Sequence, residues 1–120
     1  MLNKFNWAIL GCGNIANDFA REMNKNGGKV YSVANHKKEK AVAFAEKYNV
    51  EKVYESIDDL FMDENVDVVY IATPHNKHIE YIIKALKNNK HVLCEKAITL
   101  NSDELNKAVA LANEKNLFFF

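Results

Sequence analysis

From Val66 to Ala72 the chain reads V-D-V-V-Y-I-A, a continuous apolar run with a single charge at Asp67. A strand with one face in water alternates apolar and polar residues. A run without alternation has to be covered on both faces, as strands inside a parallel sheet are. That demand calls for helices on two sides, and the flanking segments supply them. Ala41, Phe44, Ala45 and Tyr48 recur at i, i+3, i+4 and i+7, one face of an amphipathic helix. Ile15, Phe19 and Met23 mark another, Ile79, Ile82, Ile83 and Leu86 a third, and Leu105, Ala108, Val109 and Ala112 a fourth. Further strands are predicted over Phe5–Leu10, Val30–Ala34, Lys52–Tyr54 and His91–Cys94. Ser56 with Asp59, and Asn101 with Glu104, read as capping boxes that start helices. Strand, helix and strand joined by short connections imply right-handed crossovers and a parallel sheet. The expected fold class is therefore α/β, a doubly wound parallel sheet in three α/β/α layers, with residues 1–120 as one domain.

The 120 residues contain 16 basic and 16 acidic side chains, so whole-chain charge gives no reason to expect nucleic acid or an acidic membrane surface. No apolar run approaches the ~20 residues of a membrane-crossing helix. Cys12 and Cys94 are too few for a disulfide framework and lack metal-ligand spacing, which points to a reducing cytoplasm and no metal. The last residues, Leu117-Phe118-Phe119-Phe120, have the look of a strand beginning, an aggregation hazard unless paired into a sheet. The chain reads as a fragment of a longer protein.

Gly11-Cys12-Gly13-Asn14-Ile15-Ala16 matches G-x-G-x-x-A between a predicted strand and a predicted helix. The first glycine permits the tight turn, and the second lets backbone approach a pyrophosphate. The alanine lets helix and strand pack closely, and the helix N-terminus offers unpaired N–H groups to the anion. In this context the motif implies dinucleotide binding. An acid at the end of the second strand would bind the adenine ribose hydroxyls. Here the sequence is Ala34-Asn35-His36-Lys37-Lys38, with no carboxylate before Glu39. Asn35 can hydrogen-bond a ribose, and Lys37 or Lys38 can neutralise a 2′-phosphate. Equally, both lysines can be solvated residues of the next helix's first turn. The reading leans to NADP over NAD, and the missing acid weakens a methyltransferase reading.

Three blocks, G-C-G-N-I-A, V-D-V-V-Y-I-A-T-P-H-N-K-H and K-H-V-L-C-E-K, in this order and spacing, resemble the Gfo/Idh/MocA family of NAD(P)-dependent oxidoreductases, in its dihydrodiol dehydrogenase-like branch. The resemblance implies an N-terminal Rossmann domain, followed in the family by a second α/β domain that forms the substrate wall and usually the oligomer interface. It also implies hydride transfer between NAD(P) and a hydroxyl-bearing carbon of a sugar, polyol or dihydrodiol-like substrate. Carried over by position, Gly11, Cys12, Gly13, Asn14 and Ile15 match the pyrophosphate turn. Asn35 and His36 match the positions at the adenosine ribose or its phosphate, beside which Lys38 stands as a cofactor-binding candidate on its charge. Ala72, Thr73, Pro74, Asn76 and His78 match the loop along the cofactor, and Glu95 lies near the nicotinamide ribose. Lys96 matches the catalytic-site lysine.

An ammonium beside the reacting oxygen can donate a hydrogen bond and stabilise a developing alkoxide, which gives Lys96 a chemical rationale. His75 and His78 follow the fourth strand. His78 reads as opening the next helix, and neither histidine has ligand-spaced neighbours for zinc. The family pattern E-K-P is here E-K-A. A cis bond before Ala97 would cost about 2.5–4 kcal/mol, so the aim of Lys96 is open. The competing reading is a non-catalytic NAD(P)-binding or redox-sensing module.

Overall fold

The computed structural model describes residues 5–73, 78–94 and 101–119. The elements run β1 (Trp7–Leu10), α1 (Asn14–Lys25), β2 (Val30–Ala34), α2 (Lys38–Tyr48), β3 (Lys52–Val53), α3 (Ile57–Met62), β4 (Val68–Ile71), α4 (His78–Lys87), β5 (His91–Cys94) and α5 (Ser102–Glu114). Among the described residues the sheet is wholly parallel, in the order β3-β2-β1-β4-β5. This is the doubly wound arrangement the apolar runs demand. All four residues of β1 and all four of β4 are buried, because the two strands lie at the centre with helices on both faces. None of the helices described is long and apolar enough to cross a membrane.

Two apolar clusters cover the two faces. Trp7, Ile9, Val68 and Tyr70 pack with Ala16, Ala20 and Met23 of α1 and with Ala41, Phe44, Ala45 and Tyr48 of α2. Ala8, Leu10, Val69 and Ile71 pack with Leu60 and Phe61 of α3, Ile82 and Leu86 of α4, and Ala108 and Ala112 of α5. The alternation along β1 and β4 thus sends successive side chains into opposite cores. One irregularity breaks it in β2. Trp7 pairs with Val30 but Ala8 pairs with Ser32, so an extra residue bulges at Tyr31. Tyr31 packs against the α3 side, and on that side its hydroxyl and that of Tyr54 both donate to Asp63 Oδ2, at 3.2 and 2.6 Å. Ser32 Oγ lies 3.0 Å from the Tyr54 hydroxyl.

Two helix faces differ from their expected stripes. In α1 the buried side is Ala16, Ala20 and Met23, while Ile15 is 39% exposed. The alanines let the helix settle close to the sheet, which turns Ile15 outward beyond the strand end. In α5, Ala108 and Ala112 are buried but Leu105 and Val109 are 38% and 42% exposed; the contact face includes Leu111 instead. The caps also diverge. Asn101 forms the full capping box, accepting from the Glu104 amide at 2.8 Å and donating its own amide to Glu104 at 3.1 Å. The Ser56 side chain makes no such bond, because the Asp59 amide is taken by the Ser56 carbonyl at 3.2 Å in a tighter first turn.

The phenylalanines at the end of the chain begin a sixth position. Phe119 bridges Val92 in parallel, and the Val92 amide donates to the Phe118 carbonyl at 3.0 Å. The Phe118 amide donates to His91 Nδ1 at 3.0 Å, with the two rings stacked 3.8 Å apart. Nδ1 can accept only when it carries no proton. Burial holds the His91 imidazole below its usual range, and the nearby Asp67 carboxylate opposes that shift. A depressed histidine pKa stabilises the fold above the ordinary value of about 6.5, and the contribution is lost as pH falls through the folded-state pKa. Hydrogen exchange at the Phe118 amide is therefore expected to accelerate, beyond the intrinsic pH trend, as acidification carries His91 through its lowered folded-state pKa. His91→Ala should abolish that dependence at a stability cost of about 1–2 kcal/mol.

Candidate cofactor-binding site

The strand order reverses between β1 and β4. From β1 the chain winds outward through β2 and β3, and from β4 it winds the other way to β5. Crossover connections on either side leave a crevice at the carboxyl ends of these two strands, where ligands of open α/β sheets bind.

Backbone contacts knit the crevice floor. The Gly11 amide donates to the Ala34 carbonyl and the Ala72 amide to the Leu10 carbonyl, both at 2.9 Å. Gly11 has φ +106°, and a Cβ there would sit 2.7 Å from the Ala72 oxygen. No side chain fits, so the turn after β1 and the loop after β4 approach as closely as backbone allows. Gly13 is different. It precedes α1 with φ −80° and ψ −169°, a conformation open to any residue, and a Cβ there would meet nothing within 4 Å. The missing side chain serves no internal packing; it keeps space open.

That space lies against an exposed helix start. No side chain caps α1, and its first turn carries no acid. The first helical bond runs from the Asn17 amide to the Gly13 carbonyl at 3.0 Å. The amides of Asn14, Ile15 and Ala16 therefore lie ahead of the helical ladder, at the positive end of the helix dipole. The cleft in front of them has a volume of about 520 Å³. Gly11, Cys12, Gly13, Asn14 and Ile15 form one wall, Asn35, His36 and Lys40 another, and Ala72 and Thr73 the third. An open glycine cradle beside an uncapped helix N-terminus fits the pyrophosphate of a dinucleotide.

Nine residues expected from the sequence thus meet in one cleft. Lys38 is placed elsewhere: its ammonium pairs with Glu55, and Lys37 is the N-cap of α2. The lysine that lines the cleft is Lys40, which the sequence reading passed over. Its spacing held the signal, since Lys40 lies four residues before the buried Phe44 and so borders the packed stripe. Asn35 Nδ2 donates to the Lys37 carbonyl at 3.3 Å, closing the turn before α2. Cys12 is half-buried, and burial pushes its thiol up to about 11 while Lys40 pulls the other way. At neutral pH it is a protonated packing group rather than a nucleophile. His78 is the first residue of α4. Pro74, His75, Asn76, Glu95, Lys96 and the bond before Ala97 lie outside the described residues.

The fold and cleft define a dinucleotide-binding α/β domain. Residues 5–120 match the Gfo/Idh/MocA oxidoreductase family, NAD-binding Rossmann fold, and the chain belongs to that family. It is 37% identical over 115 residues to the trans-1,2-dihydrobenzene-1,2-diol dehydrogenase of Mus musculus, covering 93% of this chain and 34% of that protein. It is 34% identical over 125 residues to the D-xylose 1-dehydrogenase (NADP(+)) of Hypocrea jecorina, covering 93% and 32%. Among solved structures, a 3-ketoreductase from Actinomadura kijaniata in complex with NADP and TDP-benzene superposes with a TM-score of 0.88 at 28% identity, covering 94% of this chain and 35% of that one. An NAD-binding protein from Listeria innocua gives 0.86 at 34% identity, covering 97% and 34%. The chain spans about a third of the length of the curated relatives it matches.

The two glycines should respond oppositely to substitution. Gly11→Ala is expected to cost about 2–4 kcal/mol in thermal or denaturant unfolding, from the positive φ and the collision with Ala72. Gly13→Ala should change stability by no more than about 1 kcal/mol. It should nonetheless weaken binding of NAD or NADP at least tenfold in calorimetric titration, because its methyl group enters the anion cradle; equal affinity would refute that use of the space.

Proposed function

We propose that residues 1–120 form the cofactor-binding domain of an NAD(P)-dependent dehydrogenase that acts on a hydroxyl-bearing carbon of a sugar, polyol or dihydrodiol-like substrate. The observation that carries the reading is the cleft at the carboxyl ends of β1 and β4, with its open Gly13 cradle and uncapped α1. The names of the relatives, a dihydrobenzenediol dehydrogenase and a xylose dehydrogenase, support the substrate class.

Gly11, Cys12, Gly13, Asn14 and Ile15 form the pyrophosphate turn: Gly11 holds it tight with its own amide on the Ala34 carbonyl, and the amides of Gly13, Asn14 and Ile15 are the donors to the phosphates. Ala72, Thr73, Pro74, Asn76 and His78 flank the nicotinamide half, with Glu95 at its ribose. The nicotinamide, when bound, supplies or accepts the hydride. Lys96 follows β5 by two residues in sequence and assists the substrate oxygen. In the reduction direction its ammonium would donate a hydrogen bond to the carbonyl oxygen, stabilise the alkoxide that develops there and pass it a proton; in the oxidation direction the neutral amine would take that proton back from the hydroxyl. In the intact enzyme, Lys96→Ala is expected to lower kcat by about 10²–10⁴-fold while the dissociation constant of the cofactor changes little. Undiminished turnover would remove Lys96 from the mechanism.

The adenosine end favours NADP. No acid stands among Asn35, His36 and Lys40 on that wall, and Lys40 brings a cation to where a 2′-phosphate would need one. The xylose dehydrogenase named for NADP and the ketoreductase solved with NADP support the same choice. Titration should give a lower dissociation constant for NADP than for NAD. Lys40→Ala should weaken NADP about tenfold or more and NAD less than about twofold. A clear preference of the unaltered chain for NAD would overturn the assignment.

A further inference from the structure

Asn17 lies one turn into α1 and does not line the cofactor cleft, yet its side chain is tied to the glycine turn from behind. Its Nδ2 donates to the Gly13 carbonyl at 2.8 Å and to the Cys12 carbonyl at 3.3 Å. Its Oδ1 accepts from the Tyr48 hydroxyl, at the end of α2, at 2.6 Å. The orientation of the amide follows from the chemistry of its neighbours. Carbonyl oxygens only accept, so the edge facing Cys12 and Gly13 is the NH₂ group and the edge facing Tyr48 is the oxygen. Further along α1, Asn24 Nδ2 donates to the Tyr48 carbonyl at 3.1 Å. Tyr48 itself is buried between the two helices. The brace is thus anchored in the packed core at one end and in the glycine turn at the other.

The consequence for the turn comes from peptide geometry. The Cys12 carbonyl and the Gly13 N–H share one planar trans unit, and the Gly13 carbonyl and the Asn14 N–H share the next. In each, N–H and C=O point in opposite directions. Holding both oxygens toward α1 turns both N–H groups away from it, to the side where Gly13 and Asn14 line the cleft. The helical bond from the Asn17 amide also holds the Gly13 carbonyl, so loss of the side-chain brace frees chiefly the Cys12–Gly13 unit, which the backbone freedom of Gly13 then lets rotate out of alignment. We infer that Asn17 is a positioning residue, which Tyr48 holds in place so that the Gly13 and Asn14 amides are preset as paired donors for the cofactor's pyrophosphate. Preorganised donors bind more tightly because no ordering remains to be done at binding.

The inference rests on the dinucleotide reading of the cleft, and the test separates the two. Calorimetric titration of the 120-residue chain with NADP and with NAD is compared across Asn17→Ala, Tyr48→Phe and the double variant. Asn17→Ala should weaken the tighter dinucleotide about tenfold, and Tyr48→Phe about threefold. The double variant should bind no more weakly than Asn17→Ala, because the hydroxyl acts only through the amide. In ¹⁵N NMR spectra without cofactor, the Gly13 and Asn14 amide resonances should shift in Tyr48→Phe. If Asn17→Ala does not fold, Tyr48→Phe and its spectrum carry the test alone. An unaltered chain that binds neither dinucleotide overturns the cofactor reading and this inference with it. An unaltered chain that binds, beside variants of equal affinity, additive losses or unmoved amide resonances, overturns the role of Asn17 alone.

Discussion

The close backbone approach of Gly11 to Ala72 is the contact on which the rest of the site depends. β1 and β4 are neighbours at the middle of the sheet, and the chain leaves them in opposite directions around it. A crevice results from topology alone, but its width is set locally. With Gly11 at positive φ and no room for a Cβ against the Ala72 carbonyl, the two loops meet as bare backbone. Any side chain at position 11 would push them apart, move the start of α1 and change the depth at which its amides lie. Burial of β1 and β4 on both faces supplies the rigidity behind this contact, since neither strand can shift without disturbing both cores.

The two glycines of the motif therefore answer different physical demands. Gly11 is required by the protein's own sterics. Gly13 is required by nothing inside the protein, and its cost in chain entropy goes uncompensated unless something occupies the space it leaves. A glycine that sterics does not explain, before a helix that no side chain caps, marks a ligand's place more clearly than the motif spelling does. The N-terminus of α5 shows the alternative: there the protein's own side chains, Asn101 and Glu104, take up two of the amides at the helix start.

Much of this was legible in the sequence, for reasons that can be named. β2 and β5 run over the residues their apolar pattern marked, and the buried side of α2 is the set Ala41, Phe44, Ala45 and Tyr48. Strongly apolar or strongly periodic segments leave little choice of phase. What the sequence concealed depends on neighbours distant in the chain. The bulge at Tyr31 brings two tyrosines to Asp63, and nothing local announces it. Lys38 and Lys40 border opposite edges of the same buried stripe, so only the placement of α2 beside α1 decides which one reaches the cleft. The rotation of α1 has the same origin. Alanines at positions 16 and 20 let the helix seat closely on the sheet, with Phe19 beside them against Trp7 and Tyr70 and Ile15 turned outward, and the strand partners set that phase. Lys96, the residue that resemblance singles out for chemistry, carries no periodicity at all, which is why its role rests on motif and on experiment.

The balanced net charge also conceals more than it reveals. Sixteen bases against sixteen acids argue against a polyanionic partner for the whole surface, yet the charges are not mixed evenly. The cofactor cleft has Lys40, His36 and an uncapped helix start, with no carboxylate among the described residues of its wall. A second cavity of about 600 Å³ has Glu55, Asp59, Asp63 and Glu64 around Lys52. Screening at physiological salt confines such fields to about 8 Å, so a bound phosphate responds to the groups on its own wall and hardly to the total. Selecting a dinucleotide with an extra phosphate then needs no basic protein, only one well-placed cation and the absence of an acid. The proposed preference for NADP rests on Lys40 of α2 and on the acid-free stretch after β2, and the second of these was already visible in the run from Ala34 to Lys38.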